Sequence, residues 1–360
     1  MENNAKKRQR PGRANIKLED VAIHAGVSPA TVSRFLNNPK VVSEEAKKRI
    51  KAAIATLGYM PHRAARALAS NHSRTIGAVV PTLDNAIFSR QIMAFQNRLA
   101  FNGYTLLLAV SEYDADSEFQ QARVLLEHGV EALMLVGERR SAEFYSLLTR
   151  VGVPFVNTWL YRSDSIHPCC GFIHDSTQQV LVDHLVGLGH RRLSVITGQP
   201  ENNDRVATRL NAIVAALESH GLDLDPRCVI NTHYSYADGR EALRRLMALD
   251  EQPTAVLAGN DVLASGVLFE AHSQGIDVPG HLSVTGFGDL AISEHLYPPL
   301  TTIRTPKEEI GEAAADFLIA RLAGRETPDR TELPARFCLR ASTGPAATPA
   351  LAHGIGGDGF

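Results

Sequence analysis

The sequence predicts a small all-α head joined to a larger α/β core that forms two lobes of parallel sheet. Charge divides sharply along the chain, because residues 1–74 hold 15 Lys/Arg against 5 Asp/Glu and residues 75–360 hold 22 against 34. Helix start and stop signals crowd into residues 18–58. From residue 74 onward, short apolar runs typical of strands alternate with amphipathic stretches typical of helices.

Length and composition narrow the class of protein. A chain of 360 residues is long enough for two or three domains with cores of their own. The four cysteines, of which Cys169 and Cys170 are adjacent, show no paired CxxC spacing, which favours free thiols over a disulfide framework or a metal site. No apolar run reaches the ~18 residues of a membrane helix. We therefore expect a soluble, cytoplasmic protein with no metal, no cofactor and no membrane contact.

The head divides into three short helices. The first ends at Gly26, since glycine is typical of the left-handed residue that follows a helix. The second begins at Ser28, which with the proline after it reads as an N-cap and a first helical residue, and runs to Leu36. The third begins at Ser43 and ends at Gly58. Its buried stripe is predicted to be Ala46, Ile50, Ile54 and Leu57.

Two helices joined by a turn that contains glycine, with a third in support, are typical of a helix-turn-helix, whose second helix enters the DNA major groove. Arg34 on that helix can bond a guanine edge through both arms of its guanidinium, and hydroxyls can reach phosphates or bases. Any short polar helix face looks similar, so the positive charge of the head carries much of this prediction. The residues that face or flank DNA are predicted to be Ser28, Pro29, Ala30, Thr31, Ser33, Arg34 and Asn37.

The segment VAIHAGVSPATVSRFLNNPKVVSEEAKKRIKAAIATLGYMPHRAARALAS resembles the DNA-binding head of the lactose/galactose repressor family, and the similarity runs over about residues 17–342. One departure is Lys17, where the family often has a threonine that caps the first helix. A lysine side chain cannot accept a backbone amide bond, so we expect this helix start to fray or to be capped by Asn15.

Residues 59–70 are rich in alanine, yet the predicted helix there is only about eight residues long, too short to be stable alone in water. The resemblance implies a hinge helix that folds on operator DNA beside its dimer mate. It also implies that Leu68 wedges into a minor-groove base step and that Arg66 is a further DNA-binding residue. The alternative is an inert linker.

The core holds seven short β-rich runs, and stretches such as residues 88–100 and 204–220 are typical of the helices between them. Strands that alternate with helices imply right-handed crossovers and parallel, doubly wound sheets. The resemblance implies a core similar to periplasmic sugar-binding proteins, with a ligand cleft between the two lobes. The runs are TIGAVVPTL, TLLLAV, ALMLV, PFVNTW, LSVIT, AVLAG and LSVTGF.

The expected organisation has five parts. A disordered basic arm covers residues 1–16, the helix-turn-helix 17–58, the hinge 59–74, the two-lobed core 75–343 and a disordered tail 344–360. Within the core, residues 75–160 and 301–324 are expected to form one lobe, and residues 161–299 and 327–342 the other.

Ligands of open α/β sheets bind beyond the carboxyl ends of the strands. Aromatic rings, amides and arginines at these positions suit a sugar or sugar acid, whose hydroxyls need donors and acceptors in an apolar wall. The resemblance to the lactose/galactose repressor family implies that Arg209, Tyr234 and Asn260 lie at positions that contact the effector. Each has a structural alternative, as has Asp261, which can cap the helix that follows it. The candidate effector-binding residues are Asn85, Phe88, Trp159, Arg205, Arg209, Tyr234, Asn260 and Asp289.

A second departure lies at Gly286-Phe287-Gly288-Asp289, where the family commonly has GYD or GFD. The aspartate is displaced by one residue, so alternation along the strand aims it differently. This weakens an assignment to a neutral hexose. The resemblance of PTLDNAIF and SRFLNNP to gluconate-type repressors favours a sugar acid.

Two other classes of protein fit parts of the sequence. The pattern Gly286-x-Gly288-x-x-Ala291 fits a variant dinucleotide fingerprint and would imply an NAD(P)-dependent enzyme, but no helical pattern opens after it. An architectural DNA-binding protein without a ligand conflicts with the large lobed core. The sequence therefore predicts a repressor, not an enzyme, that binds a pseudopalindromic operator in double-stranded DNA as a homodimer and responds to a small sugar or sugar acid.

Overall fold

The computed structural model describes residues 16–60, 72–84, 86–201 and 203–347. The chain divides into two compact units, Met1–Ser73 and Arg74–Phe360, called here the head and the body. Most of the basic arm, most of the predicted hinge and the end of the tail lie outside the described residues.

The head contains three helices, α1 (Leu18–Ala25), α2 (Pro29–Asn37) and α3 (Glu44–Leu57), with a short 3-10 turn at Pro39–Val41. The predicted caps are confirmed, because the side chains of Ser28 and Ser43 accept amide bonds at the starts of α2 and α3. Gly26 and Gly58 end α1 and α3 with left-handed φ angles of 61° and 64°. Local capping chemistry therefore sets the lengths of these helices.

Two details of the head differ from the prediction. The stripe of α3 that is buried comprises Ala46, Ile50 and Ala53, while Ile54 and Leu57 are only partly buried. Tyr59 is 8% exposed and packs in the head core, so the head extends beyond residue 58. At the start of α1, the Lys17 amide donates to Asp20 Oδ2 at 2.7 Å, so the Asp20 carboxylate satisfies a backbone amide of the first turn. The predicted alternative cap, Asn15, lies outside the described residues.

The body alternates strands and helices, as predicted. Its strands in chain order are β1 (Thr75–Val80), β2 (Thr105–Val110), β3 (Leu133–Val136), β4 (Phe155–Thr158), β5 (Cys169–Gly171), β6 (Leu193–Thr197), β7 (Val229–Asn231), β8 (Ala255–Ala258), β9 (Ser283–Thr285), β10 (Thr302–Arg304), β11 (Arg330–Glu332) and β12 (Arg336–Cys338). Its helices are α4 (Ala86–Phe101), α5 (Ala115–Glu127), α6 (Ala142–Val151), α7 (His174–Gly187), α8 (Asp204–Ser219), α9 (Tyr236–Met247), α10 (Asp261–Ser273) and α11 (Lys307–Leu322), with a 3-10 turn at Pro226–Cys228.

Two parallel sheets define two lobes. The first lobe is built on a six-stranded sheet in the order β11-β5-β4-β3-β1-β2, and the second on a four-stranded sheet in the order β7-β6-β8-β9. An antiparallel pair, β10 with β12, lies where the chain returns from the second sheet. Helix α11 packs on α4 of the first lobe, where Arg98 and Asp316 form two hydrogen bonds of 2.7 and 2.9 Å.

The sheet pairing corrects the expected lobe boundary. We expected residues 161–299 and 327–342 in the second lobe, but β5 pairs with β4 and β11 pairs with β5 in the first sheet. Strand β5 follows the first four strands after a loop, and the chain crosses to the second lobe only at α7. Strands β5 and β11 have only three residues each, which is too few to show the alternation that identifies a strand in a sequence.

The tail also begins later than expected. The Gly344 amide donates to Ser283 Oγ at 3.0 Å, and the Ala346 amide donates to the carbonyl of Leu188 at 2.9 Å. His190 Nε2 lies 3.1 Å from the carbonyl of Gly344. The chain is therefore fixed to the second lobe as far as Ala346.

Candidate functional site

Helix α2 presents a polar outer face in the head. Val32 and Phe35 are buried, as predicted, and Leu36 is half-buried against the same core. Ser28, Pro29, Ala30 and Arg34 are exposed, and Thr31 and Ser33 are half-buried. No carboxylate of the described residues forms an ion pair with Arg34. Its guanidinium is therefore available to a guanine edge or a phosphate.

The N-terminus of α2 is fixed by two hydroxyls. Ser28 Oγ accepts a bond of 3.2 Å from the Thr31 amide and lies 2.9 Å from Thr31 Oγ1. The first turn therefore has a defined geometry, which a helix that reads base edges needs. The predicted DNA-binding residues Arg66 and Leu68 lie outside the described residues, as does the side chain of Asn37.

In the body, three cavities open between the two lobes at the carboxyl ends of the strands. The largest, about 760 Å³, is lined by Asp84 and Tyr113 from the first lobe and by Asn203, His233 and Tyr234 from the second. Two smaller cavities of about 350 and 320 Å³ both include Asp204 and Arg205 in their walls. The start of α8 therefore stands in the middle of the cleft.

Asp204 joins the lobes across this cleft. Its Oδ2 accepts bonds of 2.6 and 3.0 Å from the amides of Glu138 and Arg139, which follow β3. Gly137 has φ 78°, and a Cβ on it would lie 2.3 Å from Arg205 Nη1 and 2.5 Å from Asp204 Oδ1, so a side chain here would block this approach. Burial alone would raise the pKa of Asp204, but Arg205 and the two amides outweigh burial and hold the pKa below its usual value.

Arg209 lies one turn beyond Arg205 on α8 and is half-buried, with Arg205 and Asp204 as the charged groups that act on it. Its Cζ lies 4.7 Å from the centroid of the Phe287 ring. Burial lowers its pKa, although arginine stays protonated at any physiological pH. The buried Tyr234 hydroxyl has a raised pKa because of burial, which Arg209 and Arg205 oppose. Among the described residues, no carboxylate forms an ion pair with Arg209.

His174 and Trp159 form the floor of this region, where the chain crosses from the first lobe to the second. His174 Nε2 lies 2.7 Å from the carbonyl of Trp159, and the His174 ring stacks on Phe287 with centroids 6.3 Å apart. Trp159 donates through Nε1 to Gln91 Oε1 at 2.6 Å and meets the edge of Phe88 at 5.4 Å. Trp159 has a left-handed φ of 72°.

The structure brings the candidate effector residues together only in part. Tyr234 lines the largest cavity and Arg205 lines the two smaller ones, whereas Arg209 borders a small void beside Phe287. Phe88 and Trp159 are 3% exposed and pack in the core beneath the cleft. Asn85 lies outside the described residues.

Asn260 and Asp289 contribute to the second lobe in other ways. Asn260 caps α10 by accepting the Leu263 amide at 2.8 Å, and its buried Nδ2 has no partner among the described residues. Asp289 has φ 51° and accepts a bond of 2.7 Å from Arg340 Nη2, with Arg304 Nε at 3.8 Å from its carboxylate. Asp289 lines none of the three cleft cavities, and neither does Arg209.

Asp261 serves the fold. Its buried carboxylate accepts bonds from Thr302 Oγ1 at 2.6 Å, the Leu290 amide at 2.7 Å and Ser293 Oγ at 2.8 Å. Burial raises its pKa in spite of these bonds. The segment after β9 that these bonds organise forms turns and contains no helix in residues 286–300. The dinucleotide pattern at Gly286 therefore lacks the helix start that a pyrophosphate needs.

Sequence reasoning missed Tyr113, His174 and Asp204 as cleft residues. Tyr113 follows β2 and approaches Tyr234 with ring centroids 6.1 Å apart. His174 opens α7 directly after β5, a strand that the sequence did not reveal. Asp204 starts α8 beside the candidate Arg205, so the rule that residues after strands line the cleft could have included it.

Comparison with known proteins assigns both units. Residues 17–62 match the model described as bacterial regulatory proteins, lacI family, and residues 182–343 match a periplasmic binding protein-like domain. The chain is 35% identical over 314 residues to the HTH-type transcriptional regulator GntR of Pseudomonas aeruginosa, covering 87% of this chain and 91% of that protein. It is 31% identical over 327 residues to the HTH-type transcriptional repressor CytR of Escherichia coli, covering 91% and 96%.

Two solved structures of transcriptional regulators are similar to this structure. The crystal structure of the lac repressor dimer bound to operator and the anti-inducer ONPF has a TM-score of 0.82 at 26% identity, over 91% of this chain and 99% of that chain. The transcription regulator GntR from Chromobacterium violaceum has a TM-score of 0.71 at 30% identity, over 75% of this chain and 99% of that chain.

A helix-turn-helix head on a two-lobed body with a ligand cleft defines a DNA-binding transcriptional regulator. The chain belongs to the bacterial lacI family, in agreement with the resemblance seen in its sequence. These relatives are transcriptional regulators, not enzymes, as the sequence analysis predicted. No helix in the described parts of the chain is long and apolar enough to cross a membrane.

Proposed function

We propose that this protein is a homodimeric repressor whose operator affinity is controlled by a sugar acid bound between the lobes. Two heads would occupy adjacent major grooves of a pseudopalindromic operator, and two hinge segments the minor groove between them. The solved lac repressor complex, a dimer on operator, supports this arrangement.

The observation that carries the choice of a sugar acid is the environment of Arg209. A guanidinium removed from water is costly unless an opposite charge or several hydrogen bonds compensate it. Phe287 covers one side of Arg209, and Tyr234 and a neutral histidine stand near it. The nearest acid on α8, Asp204, is engaged by Arg205 and by two amides of the first lobe. A carboxylate on the ligand would supply the missing opposite charge through a bidentate bond.

The remainder of the cleft suits a polyol chain. Hydroxyls, amides and the carboxylates of Asp84, Glu112 and Asp114 line the largest cavity. Within it, Asn203, Thr232 and Tyr234 offer donors and acceptors to ligand hydroxyls beside the Tyr113 ring. A ligand in this cleft touches both lobes and therefore binds the open and closed arrangements with different affinities. That difference is what couples the cleft to the hinge and the operator.

A matched pair of ligands tests the proposal. D-Gluconate and D-glucitol share a hydroxylated six-carbon chain and differ in carboxylate against alcohol at C1. We expect D-gluconate to raise the melting temperature of the protein and to change its operator affinity in a gel-shift titration, because a ligand bound only by the native state stabilises it. D-Glucitol should do neither at the same concentration. Equal stabilisation by the neutral polyol would contradict a site built around a carboxylate.

A further inference from the structure

His174 holds an unpartnered acceptor at the cleft. The side chain is 4% exposed and belongs to the wall of the cavity of about 350 Å³ that Asp204 and Arg205 also line. Its Nε2 is 2.7 Å from the carbonyl oxygen of Trp159. Its Nδ1 is buried and has no hydrogen-bond partner among the described residues.

The protonation of the ring follows from these contacts. A carbonyl oxygen can only accept, so Nε2 carries the hydrogen. Burial lowers the pKa of His174 to about 3, and the neighbouring charge of Arg209 adds to this effect. The ring is neutral at physiological pH, and Nδ1 presents a bare lone pair. A buried acceptor left without a donor costs free energy comparable to a lost hydrogen bond.

None of the described residues around the ring supplies that donor. Phe172 and Phe287 cover it, with centroids at 4.5 and 6.3 Å. Arg209, Arg205 and Asp204 of α8 are the charged groups that influence it. Arg209 rests on the same Phe287 ring, with its Cζ 4.7 Å from the centroid. His174 and Arg209 therefore share Phe287 as a neighbour, and the charge of Arg209 acts on the His174 ring.

We propose that Nδ1 of His174 accepts a hydrogen bond from a hydroxyl of the effector, so that the cleft selects a 2-hydroxy sugar acid over the corresponding 2-keto acid. The inference rests on the proposed function, since Arg209 must hold the carboxylate. A hydroxyl donates to the lone pair of Nδ1, whereas a ketone oxygen can only accept and is repelled by it. A site built to bond a hydroxyl discriminates strongly against an analogue that lacks it.

Two substitutions separate the two nitrogens of the ring. His174→Gln places an amide NH₂ where Nε2 stands, so it keeps the bond to the Trp159 carbonyl and loses the acceptor at Nδ1. His174→Asn places its carbonyl oxygen where Nδ1 stands, so it keeps an acceptor and loses the bond to Trp159. Calorimetric titrations with D-gluconate and 2-keto-D-gluconate are made on both variants and on the wild type, as full-length protein. Melting temperature without ligand reports on the fold.

We expect the wild type to bind D-gluconate about tenfold more tightly than 2-keto-D-gluconate, about the effect of one good hydrogen bond. His174→Gln should have a melting temperature close to that of the wild type. It should bind D-gluconate about tenfold more weakly and lose the preference for D-gluconate over 2-keto-D-gluconate. His174→Asn should melt lower and retain the preference.

If His174→Gln binds D-gluconate as tightly as the wild type and keeps the preference, the inference is wrong and the proposed function stands. If the wild type binds D-glucitol and not D-gluconate, the proposed function is wrong and the inference fails with it.

Discussion

Asp204 of the second lobe accepts a 2.6 Å hydrogen bond from the amide of Glu138 in the first lobe. The same carboxylate oxygen accepts the Arg139 amide at 3.0 Å, so one side chain holds the ends of two sheets together. Hydrogen bonds to an ionised acceptor are about twice as strong as neutral ones. This contact therefore biases the cleft toward the closed arrangement before any ligand binds.

Asp204→Ala should open the cleft. Two charge-assisted bonds are lost and two backbone amides lose their partner, which we expect to cost the closed arrangement about 2 kcal/mol. The radius of gyration from small-angle X-ray scattering should rise without ligand. Asp183→Ala is the matched control, because Asp183 lies in the same lobe, is half exposed and pairs with His220. A scattering profile equal to that of the wild type would show that Asp204 does not hold the lobes together.

Arg209→Met should keep the fold and the operator affinity measured without effector, yet abolish the response to D-gluconate. Methionine retains much of the apolar contact with Phe287 and removes the charge that a carboxylate needs. Gel shifts with and without D-gluconate measure this response. Arg227→Met is the control. Arg227 follows α8 in the chain, is exposed and forms an ion pair with Asp225. Unfolding of the Arg209 variant would instead indicate a structural role for this cation.

Arg34→Ala should relax the preference for one base pair in each half-site and cost about 1–3 kcal/mol on the correct operator. Lys7→Ala, in the predicted basic arm, should weaken binding to operator and to random DNA to a similar extent, and should make the DNA affinity less dependent on salt concentration. Titrations of both variants on operator and on random DNA at fixed salt separate the two roles. Equal losses on both DNAs for Arg34→Ala would assign Arg34 to the phosphate backbone.

The sequence predicted those parts of the molecule that local chemistry determines. Ser28 and Gly58 set helix ends through bonds to residues within one turn, so their outcome follows from neighbours in the chain. The contact of Asp204 with Glu138 joins residues 66 apart, and that of Asp289 with Arg340 joins residues 51 apart. Neither leaves a trace in spacing or periodicity, because each depends on how whole elements pack. The rule that ligands bind beyond strand ends placed Arg205 and Tyr234 beside cavities, but it did not include Asp204 and His174.

Leu68→Ala should leave the protein folded and its non-specific DNA affinity almost unchanged, while specific operator binding weakens by about 1–3 kcal/mol. The reason is that a wedge between base steps contributes only where the DNA is kinked, whereas phosphate contacts act on any sequence. The measurement is a gel-shift titration on operator and on random DNA. Operator affinity within about twofold of the wild type would show that Leu68 is not the wedge.

His174 should make the protein less stable as pH falls below 6.5. Its pKa in the folded state is lowered to about 3, chiefly by burial, from an unfolded value of 6.5. Between these values the unfolded chain binds a proton that the folded protein does not, so the free energy of unfolding decreases as pH falls. For this one group the loss between pH 7.5 and 5.5 is about 1.4 kcal/mol. His167, His184 and His190, whose pKa values burial also lowers, act in the same direction and remain in every variant.

His174→Gln should therefore lose about 1.4 kcal/mol less than the wild type over this range, because glutamine does not titrate and keeps the bond to the Trp159 carbonyl. Urea unfolding followed at pH 7.5 and 5.5 measures the difference. His295→Gln is the control, since His295 is exposed, with 74% of its side-chain surface accessible. It should follow the wild type at both pH values. An equal loss for the wild type and His174→Gln would mean that the pKa of His174 is the same in the folded and the unfolded protein, so that burial does not keep the ring neutral at pH 5.5.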